Sequence, residues 1–238
     1  MKGKLRSSQI VIAYSRNMEI RKRVFEFEEA LGEKFKTPFR TAAIPDEFDP
    51  NIPRFESQSK HNHSQLKVSQ NRISLATNFD GKLEEDKIKD YLLEKRKSIS
   101  NLVDSENVNF IAYVLEIIYI IEEEAINPLL KKHTGAKAIN DDCKDFTILY
   151  SGVFKEVFYL NIVCSKFTER ELLVDSSSGN LKETKKTRQG ISVKVDLNTK
   201  HYFEKNSKFD NHLYDLLEET VFEIIKEKEL KDYLTGIL

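Results

Sequence analysis

Histidine, cysteine and a few carboxylates are where chemistry would have to start in this 238-residue chain. His61 and His63 stand two apart, so in an extended segment both rings project to the same side. Neutral imidazole is a common metal ligand, but zinc needs one or two more donors. Glu56, Asp46 or His201 would have to be folded next to the pair to supply them. The plainer expectation is two solvated histidines in a polar loop and no bound metal or other cofactor. A metal-dependent nuclease would need a carboxylate and a later Asp/Glu-x-Lys on adjacent strands, holding a divalent cation between them. Glu116 could be the first, with Asp142 and Lys144 of Asp142-Cys143-Lys144 the second. The plainer reading of Glu116 is a partly buried carboxylate satisfied by a polar partner. Cys164 alternates with Phe158, Leu160 and Ile162 and reads as a small core residue. Cys143, beside Asp141 and Asp142, is in surroundings that disfavour a thiolate. No nucleophile-elbow, Walker or dinucleotide-binding pattern is present, and eight glycines argue against a glycine-built phosphate cradle.

Basic side chains concentrate in one stretch, Lys182, Lys185, Lys186 and Arg188, and at the N-terminal Lys2, Lys4 and Arg6. The first group could contact phosphate. No aromatic residues are interleaved with it, which counts against stacking on bases. The net charge is −1, although 32% of residues are charged, so nothing draws the whole molecule towards nucleic acid or an acidic membrane. Two cysteines cannot build a disulfide framework, and the basic N-terminus is followed by no apolar signal core. The expected setting is cytoplasmic and the expected partner another protein or a second copy, with no membrane involvement.

The elements that would position these groups are ordered around Val108–Ile121, VNFIAYVLEIIYII, interrupted only by Glu116. It is apolar at both parities and rich in β-branched and aromatic residues, as in a central strand covered on both sides. Before it, Gln9–Tyr14 reads as a strand and Met18–Phe35 as a helix capped by Asn17. Thr37–Ser59 holds four of the five prolines and should run extended along a sheet edge. In His63–Asp80, Leu66 and Val68 alternate in one phase and Ile73 and Leu75 in the other. That predicts a hairpin with Gln70-Asn71 as a two-residue turn and with positive φ at Asn71. Leu83–Val103 is an amphipathic helix with Ile88, Leu92, Ile99 and Leu102 inward and Lys95 among the residues facing water. After the central run come a helix near Glu122–Lys132, a second hairpin turning at Ser151-Gly152 and a short strand in Glu169–Val174. A mobile loop over Asp175–Gly190, a strand at Ile191–Leu197 and a helix over Asp210–Leu234 follow.

The fold expectation is therefore α+β: a mostly antiparallel sheet with helices packed mainly on one face. The element order divides into two similar halves, 1–104 and 105–238, sharing the central strand or merging into one domain. PDEFDPNIPRF, LKVSQNRISLAT, the central run and the closing ISVKVDLN with its helix follow one another in an order similar to that of a sporadically distributed, uncharacterised family of bacterial proteins of about this length. The central run departs from that family in lacking a polar, Arg- or Asn-containing centre. The resemblance implies a bacterial, soluble α+β protein and carries no activity or site residues. The leading expectation is a non-enzymatic binding or assembly module of a bacterial multi-protein system. The alternatives are a metal-dependent nucleic-acid-processing enzyme and a nucleic-acid binder without catalysis.

Overall fold

Val108–Ile120 is strand β6, flanked by β1 (Lys4–Tyr14) on one side and β11 (Lys186–Asn198) on the other. The computed structural model describes residues 3–61, 63–79, 84–122, 145–170, 173–174, 181–182, 186–206 and 208–226. Within them, one antiparallel sheet of nine strands runs from β2 (Arg40–Thr41) through β3 (Phe55–Gln58), β4 (Ser64–Val68) and β5 (Arg72–Asn78) to β1. It continues through β6 and β11 to β8 (Phe158–Arg170) and ends at β7 (Thr147–Phe154). A separate two-stranded pair joins β9 (Leu173–Val174) to β10 (Leu181–Lys182). The helices are α1 (Val24–Leu31), α2 (Glu85–Ser100), α3 (Lys200–Lys205) and α4 (His212–Ile225). The fold is α+β, as the alternation of periods implied. No described helix is long and apolar enough to cross a membrane.

One face of β6 is covered from Ile111 onward: Ile111, Tyr113, Leu115, Ile117 and Tyr119 are all buried. They share a core with Phe27 and Leu31 of α1, Ile88, Leu92 and Ile99 of α2, and Leu213, Leu217, Val221 and Ile224 of α4. The expectation of a strand covered on both sides is met only in part. On the other face Ala112 and Ile118 are buried, Phe110, Val114 and Glu116 are half-buried, and Ile120 is exposed. A central strand needs two hydrogen-bonded neighbours, and its second face can stay partly open in an antiparallel sheet. At Gly190 a Cβ would sit 1.9 Å from the Tyr119 carbonyl oxygen, so only glycine lets β11 approach β6 this closely.

Several boundaries differ from the sequence reading. The first helix is a 3-10 turn (Ile20–Arg23) followed by the short α1, although Asn17 Oδ1 does accept the Glu19 amide at 2.9 Å. The first hairpin has the expected register, with Val68 opposite Ile73 and Leu66 opposite Leu75, all four buried. Gln70-Asn71 is its turn, but neither residue has positive φ. The second hairpin turns at Lys155–Val157, where Lys155 and Glu156 take positive φ, and not at Ser151-Gly152. Gly152 instead lies within β7 beneath the Tyr150 side chain, whose hydroxyl lies 2.9 Å from where a Cβ would be. The expected loop over Asp175–Gly190 ends early, because 186–190 already belongs to β11. Lys95 is buried rather than facing water, its ammonium 5.2 Å from the Phe35 ring centre and 5.1 Å from that of Tyr91. The helix expected near Glu122–Lys132 and the last part of the one expected to reach Leu234 lie outside the described residues.

Candidate interaction surface

Among the described residues Arg54 is the largest wholly buried side chain. A buried guanidinium needs its donors met, and here the proline-rich segment meets those of the two terminal nitrogens, while Nε has an ion contact but no hydrogen bond. Arg54 Nη1 donates to the Ile52 carbonyl at 2.7 Å, and both terminal nitrogens lie 3.4 Å from the Asp49 carbonyl. Nη2 also donates to the Phe48 carbonyl at 3.4 Å, and Nε lies 3.4 Å from Asp46 Oδ1. Two further arginines close on the same loop. Arg16 Nη2 donates to the carbonyls of Asp46 (3.1 Å) and Phe48 (3.5 Å). Arg21 donates to the carbonyls of Ala42 and Ile44 and meets Asp46 Oδ1 at 3.1 Å.

The first hairpin supplies the floor. Gln70, itself wholly buried, donates to the Asp46 carbonyl at 2.8 Å and accepts from Arg16 Nε at 3.1 Å. Its backbone N–H donates to the Pro50 carbonyl at 3.1 Å. Asn71 Nδ2 donates to Asn51 Oδ1, and the Tyr14 hydroxyl to the Ser69 carbonyl at 2.6 Å. The turn is thus held by the loop above it, which explains why it does not need the positive φ of a free two-residue turn. Burial raises the Tyr14 phenol well above its ordinary range, with Arg23 opposing that shift.

The consequence is a fixed loop with an apolar tip. The Phe48 carbonyl is held inward by two arginines while its side chain is 58% exposed, between exposed Glu47 and Asp49. Asp49 is itself held, its carboxylate accepting the Asn51 amide and side chain at 2.8 Å; the first of these bonds is the main reason its acidity is raised. Next to the loop, at the β2–β3 edge, an open cleft of about 280 Å³ is lined by Lys36, Pro38, Arg40, Glu56, Ser57, Gln58 and Gln65. Its one hydroxyl, Ser57 Oγ, donates to the Lys36 carbonyl at 2.6 Å, so it is not poised as a nucleophile.

The sequence candidates lie elsewhere and apart. His61 and His63 are exposed, and the donors considered as their partners are engaged otherwise. Asp46 faces arginines, Glu56 is 3.4 Å from Gln65 Nε2, and His201 contacts Glu204 at 3.0 Å. Among the described residues no three His, Cys, Asp or Glu side chains converge on a metal-sized space. Glu116 sits on the partly open face, accepting from Ser7 Oγ (3.1 Å) and Ser192 Oγ (3.0 Å), with Arg6 Nη1 at 3.6 Å. Asp142, Lys144 and Lys185 lie outside the described residues. Lys182 is in β10, Lys186 opens β11, and Arg188 is tied across strands to Glu169 at 2.7 Å.

A second buried polar cluster escaped the sequence reading altogether. Arg96 of α2 makes a two-pronged pair with Glu218 of α4, Nε to Oε1 at 2.7 Å and Nη2 to Oε2 at 2.6 Å. The Tyr113 hydroxyl of β6 donates to Glu218 Oε1 at 2.8 Å. Burial, then the Glu218 charge, holds the Tyr113 phenol far above its ordinary range. Burial works against the Arg96 charge, but the Glu218 bonds prevail and raise its pKa. Glu218 takes both Arg96 and Tyr113, and Arg96 Nη2 also reaches Asp215 Oδ1 at 3.3 Å, so this cluster fastens α2 and α4 over β6. Comparison with protein-family models, curated proteins and solved structures finds no match for this chain.

Proposed function

We propose that the protein is a non-enzymatic binding or assembly module, one part of a bacterial multi-protein system, that engages a partner protein through the 45–53 loop. The observation that carries this reading is the cost of the loop. Three arginines, one of them wholly buried, and a buried glutamine hold a surface segment whose outward product is an exposed phenylalanine. Interface energy concentrates in a few anchors, often aromatic, and fixing an anchor beforehand lowers the entropy lost on binding. Glu47 and Asp49 beside Phe48 fit an apolar pocket rimmed by lysine or arginine.

The test is photo-crosslinking in cells of the source organism, with Phe48 replaced by a photoreactive phenylalanine. A discrete light-dependent adduct with another protein is expected at position 48. It should be missing when the same residue replaces partly buried Leu93. Equal, diffuse labelling from both positions would contradict the reading.

A further inference from the structure

β7 closes one end of the sheet, and among the described residues no strand pairs with its outer edge. Sheet ends are normally blunted by charge, proline or brevity. β7 has none of these: its eight residues, TILYSGVF, are uncharged, and Leu149, Tyr150 and Val153 are 66%, 47% and 51% exposed.

The direction of its free backbone groups follows from the pairing. The Lys166 amide donates to the Phe146 carbonyl, and 146 and 166 stand opposite in the β7–β8 register. Hydrogen-bonded and non-bonded pairs alternate in an antiparallel ladder. The amides and carbonyls of Thr147, Leu149, Ser151 and Val153 therefore point outward. Their side chains all lie on the sheet face that carries Glu116, through the register Leu149–Val163–Lys194–Glu116.

We propose that this edge pairs with the same edge of a second copy, antiparallel, about a two-fold axis through Ser151. Outward-pointing residues then meet outward-pointing residues: Ser151 opposite Ser151, Leu149 opposite Val153, Val153 opposite Leu149. Three hydrogen-bonded pairs give about six backbone hydrogen bonds. The two most exposed apolar side chains of β7 cover each other on one face. On the other face Tyr150 stands opposite Gly152 of the second copy, and each Tyr150 ring lies over Gly152 of its own strand. At each end Lys155, which also bonds Glu223 in its own chain, stands diagonal to Asp145 of the second copy. No like charges face each other. The seam is self-complementary in backbone, shape and charge, which singles out a second copy over an unrelated strand. It is a different surface from the Phe48 loop.

Cysteine cross-linking of the full chain in a Cys143→Ser background tests this. A directly opposite hydrogen-bonded pair has its Cα atoms about 5.5 Å apart, inside the span a disulfide accepts. Ser151→Cys should give a disulfide-linked dimer under mild oxidation, while Thr147→Cys, about 27 Å from its counterpart at strand rise, should not. In sedimentation the unmodified chain should be a dimer. Ser151→Lys, which sets like charges opposite each other, should raise its dissociation constant at least tenfold with the melting temperature of the subunit retained. A monomer at about 100 μM, or cross-linking no faster at 151 than at 147, overturns the proposal. So does preferential linking through Tyr150→Cys, which would move the axis by one residue.

Discussion

Arg54 shows how one side chain can set a surface. Arg54→Met keeps the bulk but takes the Arg54 donor from the Ile52 carbonyl and leaves the carbonyls of Phe48 and Asp49 with only Arg16 and the Ile52 amide. We expect a loss of about 2–4 kcal/mol, as when a buried charge network loses one member. Hydrogen exchange at the Asn51 and Ile52 amides should rise with it, and an unchanged denaturation midpoint would count against the cradle. Cys164 offers a cleaner pH test. Burial pushes its thiol up from 9.0 to about 11. The folded state then holds the proton more tightly than the unfolded one. The stability this provides is complete below about pH 9 and lost as pH rises towards 11. Between pH 8 and 10.5 the wild type should lose about 1–3 kcal/mol more than Cys164→Ala. Equal losses, measured by denaturant titration at both pH values, would show that the thiol is not the source.

Among the elements, the ties between helices and sheet were the least legible part of the sequence. Apolar periodicity marked β1, β6, β11, the first hairpin and both long helices, because period two and period 3.6 are written in side chains close together along the chain. It could not show that Arg96 and Glu218, 122 positions apart, would meet. Nor could it show that Lys95 would turn inward onto Phe35 and Tyr91, because a charged residue on a helix normally faces water. Only a proline-dense segment at a sheet edge was readable of the loop. Its arginines come from two separate segments, Arg16 and Arg21 after β1 and Arg54 before β3. The second turn was misplaced because Ser-Gly is the stronger local turn signal, whereas the chain reverses through Lys155 and Glu156 at positive φ. The α2–α4 tie makes its own prediction. Glu218→Leu leaves buried Arg96 with only the exposed carboxylate of Asp215, 3.3 Å from Nη2, as counter-charge and should cost about 3–5 kcal/mol. Adding Arg96→Met should recover a large part of that loss, and strictly additive effects in the double-mutant cycle would refute the coupling.

For the whole molecule, the β1–β6 pairing matters most. It extends from Lys4 opposite Ile118 to Tyr14 opposite Val108, joining the strands of 1–104 to those of 105–238 through one core. We expect one calorimetric unfolding transition, and two resolved transitions would mean that the segments unfold as separate units. On this continuous sheet the Phe48 loop is a small rigid projection. The most direct test is the dissociation constant of the protein cross-linked at position 48, measured for the wild type, Phe48→Ala and Ser151→Lys. Losing an aromatic anchor should weaken binding at least 30-fold, equivalent to about 2 kcal/mol, without changing the melting temperature, while Ser151→Lys binds as the wild type does. Phe48→Ala binding within threefold of wild type would contradict the account.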